Sequence, residues 1–420
     1  MDAATQAWRP ILTGAEGSRA REVARGIARD LQARYAAGPP DAEAYSLAGG
    51  RAGGALFHAY LGEAVGDEGA REAAVGLLEE ALEAAADGPR SASLYEGFTG
   101  VAWALAHLAG RLIDLGDEDP NDAVDQALLG LLSTAPWPGD YDLISGLVGI
   151  GVYALERLPR PSACACLEAV VDRLEELAEA RDEGVTWLTA PDLLPEWQRA
   201  RNPVGYHNLG VAHGVPGVVG LLGKACAAGV PAATARPLLD GAVAWLLAQR
   251  LPPDAGACFP ALVAREEAPR SARSAWCYGD PGVAATLLLA ARSVGEATWE
   301  AEAIAIARRA AARPAEESGV VDACVCHGAA GLAHLFNRFY QATDEPVFED
   351  AARRWLGRAL AYRRAGTGVG GFPVAGPETG GETSGSPDPG FLDGAVGIGL
   401  ALLAAASPIA PDWDRILLLS

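Results

Sequence analysis

The sequence predicts an all-α protein, an α/α toroid in which seven inner helices form a closed ring inside seven outer helices. Two observations carry this prediction. A short G-x-x-G unit recurs seven times in the 420 residues, and each copy opens an apolar stretch rich in Ala and Gly. Amphipathic segments with a charged face lie between these stretches. Helices that are apolar all round are buried, whereas amphipathic helices are half-exposed, so the alternation indicates a double ring.

The spacing of the glycine units adds a second level of organisation. The units begin at Gly50, Gly97, Gly146, Gly214, Gly279, Gly328 and Gly394. Successive starts lie 47, 49, 68, 65, 49 and 66 residues apart, so three intervals exceed one helical hairpin. These intervals predict insertions near residues 183–206, 252–275 and 367–390, on the rim that carries the glycine turns and the active site. No linker is evident, and residues 1–420 are predicted to form a single domain.

Charge and composition exclude several classes of partner. The chain has 54 acidic and 33 basic side chains, a formal charge of -21, which disfavours nucleic acid. Apolar runs are interrupted well before the roughly 18 residues of a membrane span. The first residues lack the pattern of a signal peptide. Seven cysteines in such a chain indicate reduced thiols and a cytoplasmic protein.

Candidate metal ligands lie beside two of the glycine turns. Cys277 and Cys326 each stand two residues before a turn glycine, and His327 follows Cys326. Equivalent positions of adjacent repeats are neighbours in a closed ring, which predicts a Cys2His site for Zn²⁺ with an open fourth position. Cys324 competes in a C-x-C-H arrangement but is the weaker candidate because it lies further from the turn. The remaining cysteines are interpreted as structural or incidental: Cys164, Cys166, Cys226 and Cys258.

Candidate proton-transfer groups lie beside two other turns. His213 directly precedes Gly214, and Asp142 stands four residues before Gly146. An imidazole exchanges protons near neutral pH, and a nearby carboxylate would fix its tautomer and raise its pKa. His207 lies further out and is interpreted as a hydrogen-bonding loop residue. Other acidic residues beside turns are expected to cap helices: Glu96, Asp280 and Asp393.

Five motifs resemble the lanthionine synthetase C-like family, and within it the stand-alone lantibiotic cyclases related to nisin cyclase. They are YDLISGLVGIG from Tyr141, HNLGVAHGVPG from His207, WCYGDPG from Trp276, CHGAAGLAH from Cys326 and LDGAVGIGLALL from Leu392. The resemblance covers nearly the whole chain. It implies the same α-toroid, zinc ligation by Cys277, Cys326 and His327, and proton transfer by His213 and Asp142. It places Arg273 and Tyr278 at further active-site positions.

By this resemblance the protein is expected to be a zinc-dependent lanthipeptide cyclase. It would catalyse intramolecular Michael addition of cysteine thiols to dehydroalanine and dehydrobutyrine, which forms lanthionine and methyllanthionine thioether rings. The implied partner is a dehydrated precursor peptide, with a dehydratase and an exporter as further candidates.

Three alternatives differ in their chemistry. A prenyltransferase β-subunit would use an Asp, Cys and His ligand set and a partner subunit. A glycoside hydrolase on a helical barrel would use paired carboxylates such as Glu96 and Asp142, and would need no thiols at the turns. A non-catalytic lanthionine synthetase C-like protein, binding glutathione or acting as a scaffold, would share the motifs, and the sequence leaves it open.

Overall fold

The computed structural model describes residues 7–37, 45–87, 91–116, 119–230, 232–265, 268–373 and 388–420, and its regular structure is mostly helical. In chain order, the α-helices of these residues are α1 (Gly14–Ala36), α2 (Arg51–Val65), α3 (Glu68–Ala86), α4 (Phe98–Leu108), α5 (Asp122–Leu132), α6 (Leu147–Arg157), α7 (Pro161–Leu177), α8 (Glu196–Arg201), α9 (Val215–Ala228), α10 (Ala232–Ala248), α11 (Asp280–Val294), α12 (Ala297–Ala312), α13 (Ala329–Thr343), α14 (Pro346–Ala361) and α15 (Ala395–Ala406). The chain divides into two compact units. The first unit comprises residues 1–89, 107–114 and 320–414, and the second comprises residues 90–106, 115–319 and 415–420.

The predicted alternation of two kinds of helix is present in the described residues. Seven helices begin directly after the first glycine of a G-x-x-G unit and are buried over most of their length: α2, α4, α6, α9, α11, α13 and α15. Between them lie helices that bury one stripe only. Helix α14, for example, buries residues at helical spacing: Phe348, Ala351, Ala352, Trp355, Leu356 and Ala359. Each of α3, α7, α10, α12 and α14 packs against the buried helix that precedes it.

Close backbone approach explains the glycines at these turns. A Cβ atom on Gly331 would lie 1.9 Å from the carbonyl oxygen of Val325, and one on Gly397 would lie 2.0 Å from that of Phe391. In both cases the carbonyl belongs to the residue six positions earlier, because the incoming chain folds back onto the first helical turn. Most first glycines have ordinary extended φ angles, such as -123° at Gly146. Left-handed φ occurs at the start of one described turn, at Gly279 with 139°.

The first unit packs around α15, which is buried along its whole length and contacts α1, α2 and α13. A Cβ on Gly399 would lie 2.4 Å from ring atom Cε2 of Phe57, so the missing side chain admits the aromatic ring. The buried carboxylate of Asp414 accepts hydrogen bonds from His334 at 2.6 Å and from Arg338 at 2.6 and 2.7 Å. These bonds attach the segment after α15 to α13.

The second unit packs around α9, which contacts α6, α10 and α11. A Cβ on Gly223 would lie 2.6 Å from the Cα atom of Ala290, so α9 and α11 approach closely. The buried carboxylate of Asp125 in α5 accepts hydrogen bonds from Tyr153 and Arg157 of α6, both at 2.6 Å. This buried charge is therefore paired.

The first two predicted insertions contain small sheets. Strands β1 (Glu179–Arg181) and β2 (Gly184–Thr186) form an antiparallel hairpin. Strands β3 (Leu188–Thr189), β4 (Tyr206–Asn208) and β5 (Leu262–Val263) form a second antiparallel sheet in that order. The insertion near 183–206 is thus hydrogen-bonded to the insertion near 252–275. Residues 374–387 of the third predicted insertion lie outside the described residues, and the single domain and the shared rim stay predictions.

Candidate functional site

His213 and Asp142 form a hydrogen-bonded pair in the second unit, although they are 71 residues apart in sequence. The Nδ1–H of His213 donates to Oδ2 of Asp142. The other oxygen of Asp142 accepts the backbone N–H of Ser145 at 2.7 Å, which fixes the carboxylate within its own turn. Asp142 is buried, whereas His213 is partly exposed. The imidazole therefore has a fixed tautomer, and its Nε2 atom is not used in this bond.

The carboxylates beside His213 favour its charged form. Burial lowers its pKa, but the hydrogen bond and charge of Asp142, with smaller contributions from Asp140 and Cys277, outweigh burial, so the pKa of His213 is raised. Burial and the charge of Asp142 raise the pKa of Asp140 to about 6, although His213 opposes the shift. This part of the second unit can therefore hold an imidazolium near neutral pH.

Tyr278 lies beside the same pair. Its ring stacks near the His213 ring, with the centroids 6.4 Å apart and the planes inclined by 29°. The Nδ2–H of Asn208 donates to the Tyr278 hydroxyl at 3.0 Å. Burial raises the pKa of Tyr278, and the hydrogen bond from Asn208 opposes the rise. Tyr278 is therefore a neutral phenol positioned beside the imidazole.

Asn208 was not identified from the sequence. It is almost fully buried, and its Oδ1 accepts the N–H of Gly210 at 2.8 Å while its amide holds Tyr278. It stands six residues before a turn glycine, and an Asp or Asn recurs at that offset in other repeats: Asp140, Asp322 and Asp388. This recurrence is the sequence signal that could have identified Asn208.

Cys277 and Arg273, the other two site residues predicted in the second unit, differ in exposure. Cys277 is buried, with 7 % of its surface exposed, directly before Tyr278. Arg273 is exposed, and the structure does not bring its side chain into the hydrogen-bonded group of His213, Asp142 and Tyr278 among the described residues. A Cβ on Gly279 would lie 2.0 Å from the backbone carbonyl oxygen of Arg273.

Cys326 and His327 belong to the first unit, where two carboxylates flank the imidazole. The Nε2 atom of His327 is 3.7 Å from Oδ2 of Asp322, and its Nδ1 atom is 3.6 Å from Oδ1 of Asp393. The N–H of Cys326 donates to the carbonyl of Leu392 at 2.9 Å, which joins the turns before α13 and α15. The turn before α13 thus contributes Asp322 beside His327, and the turn before α15 contributes Asp393.

Cys324 has a structural role in the same turn. Its Sγ accepts the backbone N–H of His327 at 3.4 Å, and the residue is 2 % exposed. Burial first, and then the charges of Asp322 and Asp393, raise the pKa of its thiol well above the usual value. The donor atoms of Asp322, Cys324 and His327 lie within 4.8 Å of one another, so the first unit contains a candidate Cys/His metal-binding group.

The donor chemistry fits zinc. Thiolates and a neutral imidazole are the ligand types that Zn²⁺ prefers, and a carboxylate beside a ligating histidine is a common support. One oxygen of the buried Asp322 accepts no hydrogen bond from any described residue and faces His327. An acceptor in that position suits a histidine whose other nitrogen binds a metal ion.

Two of the remaining expectations can be compared with the structure. His207 pairs through Nε2 with Glu179 at 3.0 Å, so its side chain forms a hydrogen bond as expected, but the residue lies in strand β4 and not in a loop. The capping role expected for Asp280 is wrong. Its carboxylate accepts the N–H groups of Cys258 and Phe259 at 2.7 and 3.1 Å, and so attaches the second insertion to α11. The carboxylate thereby pairs two buried backbone donors of the insertion.

None of the described helices is long and apolar enough to cross a membrane.

Three comparisons relate the chain to known proteins. A family model described as lanthionine synthetase C-like protein matches residues 41–418. Nisin biosynthesis protein NisC of Lactococcus lactis subsp. lactis is 25 % identical over 275 residues, which are 61 % of this chain and 64 % of the relative. That match thus spans less than two thirds of the relative. The solved structure of nisin cyclase is similar with a TM-score of 0.74 and 20 % identity, covering 96 % of this chain and 98 % of the other. This likeness confirms the all-α toroid fold class.

Proposed function

Because the chain belongs to the lanthionine synthetase C-like family, we propose that it is a lanthipeptide cyclase. It would add cysteine thiols to dehydroalanine and dehydrobutyrine within one dehydrated precursor peptide, giving lanthionine and methyllanthionine rings. The observation that carries the proposal is the imidazole of His213, held by Asp142 and stacked near Tyr278 beside the thiol-bearing residue Cys277. Such a site can deliver a proton next to a cysteine-based reaction centre.

We propose that Cys277, Cys326 and His327 hold one Zn²⁺. Both cysteines stand two residues before a turn glycine, and His327 follows the second. Three protein ligands leave a fourth position for an exogenous thiol, as in catalytic rather than structural zinc sites. When bound, the metal would supply deprotonation of the peptide's cysteine thiol near neutral pH. The three protein ligands would only hold the metal and would take no part in proton transfer.

The residues of the second unit would complete the addition. Sulfur forms a bond to the β-carbon of the dehydro residue, and the electron pair of the C=C bond moves onto the carbonyl as an enolate. The enolate must then accept a proton at Cα, and protonated His213 is the proposed donor. Asp142 keeps the imidazole oriented and raises its pKa. Arg273 is proposed to stabilise the enolate oxygen, and Tyr278 to orient the imidazole or the substrate carbonyl.

The partners and location follow from the reaction. A dehydratase must supply the dehydro residues, and an exporter would remove the product, so both are proposed to act with this protein. Cysteine thiols must remain reduced for metal binding and for attack, which favours the cytoplasm.

Zinc content provides a direct test of the proposed ligands. Purified protein should hold about one zinc per chain, and Cys277→Ala and Cys326→Ala should lose it. Cys226→Ala is the matched control, because Cys226 lies on α9 and is not a proposed ligand. Metal analysis after gel filtration measures the result. Full zinc retention in both turn variants would disprove this ligand set.

Ring formation tests the reaction itself. A synthetic peptide with one dehydroalanine and one cysteine should lose its alkylatable thiol on incubation with the protein, while its mass stays constant. Tandem mass spectrometry would locate the thioether. If the thiol remains and glutathione binds instead, the non-catalytic alternative is correct.

A further inference from the structure

We propose that Asp322 is a positioning residue that orients His327 for metal binding, an inference that rests on the proposed zinc site. Asp322 lies on the turn before α13, and its side chain is 2 % exposed. Its Oδ1 accepts the backbone N–H of Cys324 at 3.1 Å. Its Oδ2 lies 3.7 Å from Nε2 of His327 and accepts no hydrogen bond from any described residue.

A buried carboxylate oxygen without a hydrogen bond is energetically unfavourable. Nε2 of His327, 3.7 Å away, would be a donor able to satisfy this oxygen by a hydrogen bond. That bond would fix the tautomer and leave the Nδ1 lone pair to bind the metal. Asp393 faces Nδ1, but its side chain is 51 % exposed and can turn toward solvent. The buried partner, Asp322, is therefore the group that sets the ring orientation.

The turn itself does not require a carboxylate at this position. Asn208 and Asp388 stand at the equivalent place, six residues before Gly214 and Gly394. The Oδ1 of Asn208 accepts the N–H of Gly210 at 2.8 Å, and the Oδ1 of Asp388 accepts the N–H of Gly390 at 2.6 Å. One acceptor oxygen, which asparagine also supplies, is enough to close the turn. The second oxygen of Asp322 is thus available for His327.

This comparison defines a variant that separates the closing of the turn from the orientation of His327. Asp322→Asn keeps the turn acceptor, as Asn208 does, but replaces the carboxylate that would accept from His327 with a neutral amide. Asp388→Asn makes the same chemical change at an equivalent turn that has no zinc ligand. Any effect specific to Asp322→Asn therefore reports on His327.

The experiment measures zinc affinity by competition with a chromophoric chelator, using full-length protein. We expect Asp322→Asn to weaken zinc binding about 10- to 100-fold, as loss of a carboxylate behind a ligating histidine does. Asp388→Asn should bind zinc as the wild type does. The zinc-free Asp322→Asn protein should keep the wild-type melting temperature, which a purely structural role would change.

Three results would overturn the proposal. Wild-type zinc affinity in Asp322→Asn would show that His327 does not depend on this carboxylate, while the zinc site itself would stand. Loss of zinc in Cys324→Ser would make Asp322, Cys324 and His327 direct ligands and contradict a positioning role. If the wild-type protein bound no zinc, the proposed metal site would fail first, and this inference with it.

Discussion

At the scale of single residues, the second unit contains one carboxylate with two functions. Asp142 accepts from Ser145 with one oxygen and from His213 with the other. The first bond is local and holds the turn, whereas the second selects the imidazole tautomer. Asn208 works in the same way, closing its turn with Oδ1 and holding Tyr278 with its amide. Turn residues thus also position the proposed proton donor.

Replacing the proposed proton donor should separate proton transfer from metal binding. His213→Asn should retain zinc, because His213 is not a proposed ligand, but lose on the order of 10²- to 10⁴-fold in cyclisation rate. Zinc analysis and cyclisation of a dehydrated peptide measure both quantities. Wild-type cyclisation by His213→Asn would eliminate His213 as the acid and leave water or Tyr278 to supply the proton.

Removing the charge beside His213 should alter the pH profile. The raised pKa of His213 keeps the imidazolium present at higher pH, and activity that needs this acid is lost as pH rises through that pKa. Asp142→Asn removes the negative charge that contributes most to this raised pKa. The falling limb of the cyclisation rate should therefore move to lower pH. The cyclisation rate measured against pH tests this. An unchanged limb would mean that another group controls it.

At the scale of elements, six of the seven glycine turns share one backbone contact, at Gly53, Gly149, Gly217, Gly282, Gly331 and Gly397. The second glycine of a turn lies against the carbonyl of the residue six positions earlier, as Gly331 does against Val325 and Gly282 against Trp276. Any side chain there would meet backbone atoms, which cannot rotate away. The turn residues that carry chemistry therefore lie at fixed offsets from the buried helices.

A pair of alanine substitutions isolates this constraint. Gly331→Ala should destabilise the protein by at least about 1–3 kcal/mol, because its Cβ would lie 1.9 Å from the Val325 oxygen. Gly357→Ala, in the exposed part of α14 with nothing within 4 Å, should be neutral or stabilising by up to about 1 kcal/mol. Thermal or denaturant unfolding measures both variants. Equal stabilities would contradict the close-approach explanation.

At the scale of the whole molecule, stability resides in the helices of each unit. The first unit is built around α15 and the second around α9, and both helices are lined by aliphatic residues. The proposed zinc ligands lie in turns before helices rather than in these cores. The net charge of -21 makes the chain strongly acidic, which disfavours binding of anionic partners.

Metal removal should therefore affect activity but not folding. Treatment with a chelator should abolish cyclisation while the helical circular dichroism and the cooperative thermal transition persist, unlike in a zinc finger. Adding zinc back should restore activity and serves as the control. Loss of helical signal on chelation would show that the metal supports the fold.

Much of the element structure could be predicted because its causes are local. Apolar and amphipathic segments alternate at helical period, and each G-x-x-G turn marks the start of a buried helix, so helix positions follow from the sequence alone. The residue types suited to zinc and proton transfer were also recognisable beside those turns. Glycine spacing further predicted three insertions, and the third of them lies largely outside the described residues.

Only the tertiary structure decided which distant groups meet. It paired His213 with Asp142 across 71 residues and Asn208 with Tyr278 across 70, and it joined β3, β4 and β5 from two insertions. It also showed that Asp280 holds a loop instead of capping a helix. Such contacts depend on how helices pack in space, because a hydrogen bond needs two groups within about 3 Å whatever their separation in sequence.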